Sequence, residues 1–199
     1  TSVELVKEAK LGLDKDERDK LFNAIVEYAN EIEDEELKKY VTELLFEHEE
    51  QFKIAPAARL MHHNYLGGLV EHTFECLEIA KCLISNLYKK VDKSCVFAAC
   101  ILHDFGKIFE YKIDTESGLI EYDEKFPKEW LTHSQWGFSN CMAHGFKTVA
   151  KMIAAHHGRA EWGAIVDLNE KDLDPLLYLV HHIDDLSAKF GRTAISDLG

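Results

Sequence analysis

Little in this chain interrupts a helix: 199 residues contain only three prolines and no Ser/Gly-rich stretch. That excludes a flexible linker and a repeat array, and leaves long helices free to form. No apolar run reaches the roughly 18 residues a membrane-spanning helix needs, and no signal peptide opens the chain. Cys-x-x-Cys is also missing. The five cysteines, Cys76, Cys82, Cys95, Cys100 and Cys141, fall mostly in apolar helical stretches, so they read as reduced core residues of a cytoplasmic protein. Basic residues are in deficit, 23 against 36 acidic, for a net charge of -13. Broad, sequence-independent binding of nucleic acid needs a basic surface and is disfavoured for this chain alone. A small basic pocket is not, nor is an acidic cluster offset by a divalent cation.

What is present suits a helical core. Apolar residues make up 46% of the chain, enough for one domain with or without a helical arm. Residues 1–13 read as a short helix or arm. Residues 16–52 read as two amphipathic helices, one with Leu21, Ile25, Tyr28, Ala29 and Ile32 on a stripe, the next with Leu37, Tyr40, Val41, Leu44 and Leu45. The acidic run Glu31–Glu36 between them is solvated helix-end charge. A long helix is expected from about Leu69 to Lys90, then one capped by Ser94 running to about Asp104. Residues 109–131, with Gly118 and Pro127, are the least regular and fit a small hairpin. Helices follow at about 133–144 and 147–157, and Asp174-Pro175 opens a last one to about Phe190. The fold class is all-α, apart from that hairpin, with residues 1–52 as an N-terminal helical extension on a domain of residues 53–199.

The informative residues are polar ones on apolar faces. His72 lies in the stripe Leu69, Cys76, Ala80, Leu83 and Leu87. His103 shares a side with Val96, Ala99 and Cys100, and Asp104 lies beside it. His156 aligns with Val149, Met152 and Ile153, and Asp184 with Leu177, Val180 and Ser187. One such histidine alone is what a core histidine with a hydrogen-bond partner looks like. A buried carboxylate is unfavourable unless it is paired or bound to metal. Two aspartates and several histidines on separate helices call for a common partner, and a divalent cation supplies one. Carboxylate plus imidazole without thiolate suits Mn, Fe, Zn, Ni or Co.

With His72 ahead of His103-Asp104-Phe105-Gly106-Lys107, and Asp184 far downstream, the sequence resembles the HD-domain phosphohydrolases. More closely it is similar to the C-terminal HD domain of YhaM-type 3′→5′ exoribonucleases. The matching stretches are Ala55–Arg59, His62–His72, Leu102–Lys107, His156–Gly163 and His181–Lys189. The resemblance implies an HD-domain helical bundle and one or two divalent ions, with Mg added to the metals above. A first ion would be held by His72, His103, Asp104 and Asp184. A second, bridged by Asp104, would be held by His133 and His156, with His157 as an alternative or additional ligand. Three departures concern substrate: the resembled exonucleases carry an N-terminal OB-type nucleic-acid domain that is not expected in this sequence, Ser187 stands where the last motif usually ends in Asp, and the loop with Lys125-Phe-Pro-Lys128 is longer than usual.

The expected activity is hydrolysis of a phosphodiester or phosphomonoester, of RNA 3′ ends or nucleotides, by metal-activated water. Asp104 would be the pivot, and Lys107 would neutralise charge growing at phosphorus or simply balance a helix end. Arg59 and Arg159 are candidate phosphate contacts, and His62 and His63 candidate walls of the substrate pocket. Trp162 and Tyr65 would stack a base or pack, and His48, His144, His181 and His182 read as ordinary. The expected partner is a nucleotide or single-stranded RNA, not a membrane. A homo-oligomer remains open, as does a nucleic-acid-binding domain outside this sequence. The competing functions are a small-nucleotide phosphohydrolase, cyclic or linear, a metal-binding regulatory module without turnover, and a purely structural helical domain.

Overall fold

The computed structural model describes residues 12–58, 63–88, 90–114, 116–117, 119–123, 125, 128 and 131–191. Among them are eight α-helices: α1 Lys15–Asn30, α2 Glu35–Glu47, α3 Glu49–Ile54, α4 Gly68–Asn86, α5 Lys93–Leu102, α6 His133–Ala143, α7 Lys147–Ala155 and α8 Pro175–Phe190. Two short 3₁₀ turns, Phe105–Phe109 and Ala160–Trp162, and two strands, β1 Tyr111–Asp114 and β2 Leu119–Tyr122, complete the elements. The fold is all-α with one small antiparallel hairpin, in which Tyr111 faces Tyr122 and Ile113 faces Ile120. No described helix is long and apolar enough to cross a membrane.

Local chemistry sets the helix starts. Asp14 and Glu17 form a capping box on α1, and Thr132 with Gln135 does the same on α6. Asp34 caps α2 through the Leu37 amide. Asp174 caps α8 through the Leu176 amide, with Pro175 in the first turn where its missing N–H costs nothing. The expected start of α5 moves by two residues: Asp92, not Ser94, accepts from the Cys95 amide. Ser94 instead takes the Glu33 amide at 2.9 Å, tying the α1–α2 corner to α5. α4 stops at Asn86 rather than Lys90, which leaves Leu87 68% exposed instead of in the core stripe. The stretch 16–52 holds three helices, α3 being a short third.

The long helix α4 packs against α1, α3, α5 and α8, while α7 packs against α5, α6 and α8. One continuous apolar cluster runs from Phe22 and Ile25 on α1 through Leu45 and Phe52 to Ile153 and Ile183. The acidic run is held by ion pairs of Glu31 with Lys81 and Lys93, and of Glu35 with Lys38. The cysteines are all free. Cys76, Cys100 and Cys141 are core residues as expected, whereas Cys82 lies on the exposed side of α4. The expected arm at residues 1–13 falls almost entirely outside the described residues, of which Leu13 is buried and donates its amide to the Leu66 carbonyl.

Candidate metal centre

The ends of two helices aim at one point. α5 ends at Leu102, so His103 is its C-cap and Asp104 follows in a bridge conformation at φ -108° and ψ 0°. α7 ends at Ala155 with His156 as C-cap, and Gly158 turns the chain away at φ 82°. The negative ends of two helix dipoles therefore face the same buried space, an arrangement that favours a cation. α4 brings His72 and α8 brings Asp184. His133 is the first residue of α6, and it can come this close because Gly106 has no side chain: a Cβ there would lie 2.8 Å from the His133 Cα.

The side chains form two donor sets that share Asp104. His72, His103, Asp104 and Asp184 each present one ligand atom, all within 4.8 Å of one another, and so do Asp104, His133, His156 and His157. The two oxygens of Asp104 divide between them. Oδ2 lies 3.5 Å from both His72 Nε2 and His103 Nε2. Oδ1 lies 3.4 Å from His133 Nε2 and 3.6 Å from His156 Nε2. Asp184 Oδ1 is 3.0 Å from His72 Nε2 and 3.7 Å from His103 Nε2.

The outer ring nitrogens reveal what the inner ones are for. His103 Nδ1 donates to the Cys100 carbonyl at 2.8 Å, and His156 Nδ1 to the Ile153 carbonyl at 2.6 Å. His133 Nδ1 donates to Glu110 Oε1 at 3.0 Å, and Glu110 also accepts the His133 amide. A neutral imidazole that donates from Nδ1 carries a lone pair on Nε2. The lone pairs of His103, His133 and His156 turn inward: His103 Nε2 lies 3.3 Å from His72 Nε2, and His133 Nε2 lies 3.1 Å from His157 Nε2. His156 Nε2 is buried without a hydrogen-bond partner. Buried imidazole lone pairs turned towards carboxylate oxygens are unfavourable unless a cation sits among them, so these residues fit one or two divalent ions. His157 is the least constrained of the five, because its Nδ1 is also buried without a partner.

The electrostatics agree. Burial would raise the Asp104 carboxyl, but Lys107 and His103 outweigh it and hold it well below the usual range. Burial is likewise outweighed at Asp184 by its contacts with the His103 and His72 rings, which lower it. Burial lowers His72 and His156, and drives His157 down to about 2, keeping these rings neutral as ligands must be. At His103 burial is outweighed by Asp104 and Asp184, which raise it. Cys76 Sγ lies 3.8 Å from His72 Nε2. Burial pushes this thiol up, and His72, Cys76 and His103 form a further group of potential ligand atoms beside the first set.

A cleft of about 240 Å³ opens onto the cluster, lined by Asp104, Lys107, His156, His157 and Asp184 together with Trp162, His181, Asp185 and Ala188. Lys107 Nζ donates to Asp104 Oδ2 at 2.7 Å and to the Ala57 carbonyl at 2.5 Å. It is thus the buried counter-charge of Asp104 as well as part of the cleft wall. Trp162 is 58% exposed and carries the Arg159 guanidinium 4.8 Å above its ring. Of the other expected contacts, Arg59 and His62 lie outside the described residues. His63 is fully buried behind His72, not on the cleft, with Nε2 3.1 Å from Glu75. Tyr65 is buried and bonds to Glu71, so it packs. His48 meets Phe109 edge-on, His144 stacks on Phe146 and His182 is exposed, as ordinary residues do.

Three participants escaped sequence reasoning. Glu110 is 4% exposed and orients His133, but it sits in an irregular stretch with no periodicity to place it. His181 lines the cleft and donates Nδ1 to the His156 carbonyl at 2.7 Å; only its spacing of one turn before Asp184 signalled this. Glu75, one turn after His72, had the same kind of signal.

The HD domain family model matches residues 69–189. The 3′-5′ exoribonuclease YhaM of Geobacillus sp. (strain WCH70) is 30% identical over 181 residues, covering 86% of this chain and 53% of that protein. The chain thus spans about half the length of this curated relative. No solved structure matches. An apolar helical scaffold, a shared aspartate between two imidazole sets and a family match over most of the chain agree: this protein belongs to the HD-domain family and is a metal-dependent hydrolase of the HD phosphohydrolase type.

Proposed function

We propose that this chain hydrolyses phosphodiester bonds at the 3′ end of single-stranded RNA, with two divalent ions held on either side of Asp104. The observation that carries the reading is the division of the Asp104 oxygens, Oδ2 towards His72 and His103, Oδ1 towards His133 and His156. Such ions lower the pKa of bound water and polarise phosphoryl oxygens, which is how metal sites make a nucleophile at neutral pH.

The protein's own share is positioning and charge. Asp104 and Asp184 supply two negative charges, Lys107 returns one positive charge, and burial opposes charge on His72, His156 and His157. Lys107 Nζ uses two of its donors on Asp104 and Ala57, which fixes the ammonium at the cleft wall, where it can stabilise charge growing on a phosphoryl oxygen. Arg159 at the mouth is a fork suited to an adjacent phosphate, and the exposed face of Trp162 beside it suits a base. At about 240 Å³ the cleft is smaller than the roughly 300–1,000 Å³ of drug-sized pockets. In this reading the cleft takes the end of a strand. The name of the 30% identical relative, a 3′-5′ exoribonuclease, points the same way.

A second reading is a small-nucleotide phosphohydrolase. The net charge of -13 favours it, because this chain has no excess of positive charge with which to gather a polyanion. The test loads the protein with Mn²⁺, quantifies bound metal, and follows 5′-labelled single-stranded RNA beside a panel of cyclic and linear nucleotides. Stepwise shortening from the 3′ end with release of mononucleotides is the expected result. Turnover of free nucleotides with intact RNA supports the second reading. Loaded protein that turns over neither these nor an aryl phosphodiester is a binding module.

A further inference from the structure

Three histidines of the cluster have their tautomers set by an obvious acceptor: backbone carbonyls for His103 and His156, and Glu110 for His133. His72 has none. Its Nδ1 meets the Ser187 hydroxyl at 2.8 Å, a group that can either give or take a hydrogen bond. The direction is decided one bond further on, where Ser187 Oγ donates to Glu75 Oε2 at 2.6 Å. A hydroxyl has one proton. Spent on the carboxylate, it leaves only lone pairs for His72, which must then donate from Nδ1 and keep Nε2 bare towards Asp184 and His103.

We propose that Glu75 and Ser187 form a positioning relay that holds His72 as an Nε2 metal ligand and locks α8 to α4. Ser187 lies one turn after Asp184, so a single face of α8 delivers both a ligand and the device that orients the ligand opposite. His63 closes the chain of contacts, with Nε2 3.1 Å from the same Glu75 oxygen.

The surroundings are shaped around that ring. His63 adopts φ 51°, a left-handed conformation uncommon for a non-glycine residue. A Cβ on Gly68 would lie 1.9 Å from the His63 carbonyl oxygen, and one on Gly191 would lie 2.1 Å from its Cε1. Two glycines and a costly backbone conformation thus make room for an imidazole that touches no part of the cleft. The role of His63 is to hold Glu75, not to contact substrate. Glu75 is held below the usual carboxylate range despite burial, by His63 and Ser187, and so remains an acceptor.

The inference rests on the metal reading of the cluster, and its test separates the two. Dissociation constants for Mn²⁺ are measured by competition with a chelating dye for wild type, Ser187→Ala, Ser187→Thr, Glu75→Gln and the double variant. Long-range ¹H–¹⁵N spectra read the His72 tautomer in the metal-free proteins. Loss of a group that orients a metal ligand typically weakens binding about 10- to 100-fold, and Ser187→Ala is expected in that range. Glu75→Gln should fall alongside it, because the amide can donate to Ser187 and reverse the relay. Ser187→Thr should restore binding. The double variant should be no weaker than Ser187→Ala alone, since links in series do not add. Wild type should show the proton on His72 Nδ1, and Glu75→Gln should lose that preference.

Additive losses, unchanged affinity in a folded Ser187→Ala protein, or a His72 tautomer indifferent to Glu75 would each overturn the relay. Wild-type protein that binds no ion overturns the metal reading instead, and the tautomer spectra still decide the relay.

Discussion

Burial is equally complete around Phe22, Ile25, Val41 and Leu45 at one end of the core and around His72, His103, Asp104 and His156 at the other, and the chemistry is opposite. At the first end every buried side chain removes apolar surface from water, a gain of about 25 cal/mol per Å². Even the charged residue there is satisfied by protein: Lys53, 6% exposed, pairs with Asp19, Glu49 and Glu50 at 2.8 to 3.0 Å. At the second end imidazole lone pairs are buried facing the oxygens of Asp104, and His156 Nε2 has no hydrogen-bond partner. One end is complete as a protein. The other is complete only with a ligand, and its unsatisfied atoms are the specification of that ligand.

The difference is most sharply broken by Asp104→Ala. Removing the carboxylate shared by both donor sets should abolish bound metal and reduce hydrolysis to background, as read by metal analysis and a phosphodiesterase assay. Full metal content in that variant would mean the shared site is misassigned. In the dry end, Leu45→Ala, at a fully buried position, should cost about 2–5 kcal/mol in denaturant unfolding. The folded fraction should keep its metal stoichiometry. Lys107→Ala should retain metal and lower kcat about a hundredfold, the usual scale for one donor aimed at developing charge. If metal content falls with it, the lysine acts only as the counter-charge of Asp104. The smallest effect belongs to Asp19. Its carboxyl is lowered to about 2 by hydrogen bonds from Lys15 and Lys53. A depressed carboxylate contributes stability above its unfolded value, and that contribution is lost as pH falls through the folded value. Destabilisation from this pair should therefore appear between about pH 4 and pH 2, and a carboxyl NMR titration of Asp19 should show the low midpoint.

The dry end was the more legible in sequence, because apolar periodicity reports burial directly. Ile25, Tyr28, Ala29 and Ile32 lie on the expected stripe and are buried. Of the metal cluster, only members on regular helices showed themselves the same way: His72, His103, His156 and Asp184 each interrupt an apolar face. His133 does not, since it begins a helix after irregular chain, and only the family resemblance pointed to it. Glu110, between a 3₁₀ turn and a strand, had no pattern at all. Ser187 stood out as a departure from the family motif, but its partner Glu75 could not be paired with it without the packing of α4 on α8. Periodicity predicts which face is buried. It does not predict which buried atoms on different helices meet.

The β1–β2 hairpin is inserted between Glu110 and His133, yet those two residues are joined directly by the His133 amide and ring on one Glu110 oxygen. The hairpin is therefore a closed detour: the chain leaves and returns through a clasp that the metal side already holds shut. Ile113 packs on the core, but Lys112 and Leu119 face solvent, so the hairpin's outer side is where the sequence is free to change while the clasp keeps His133 in place.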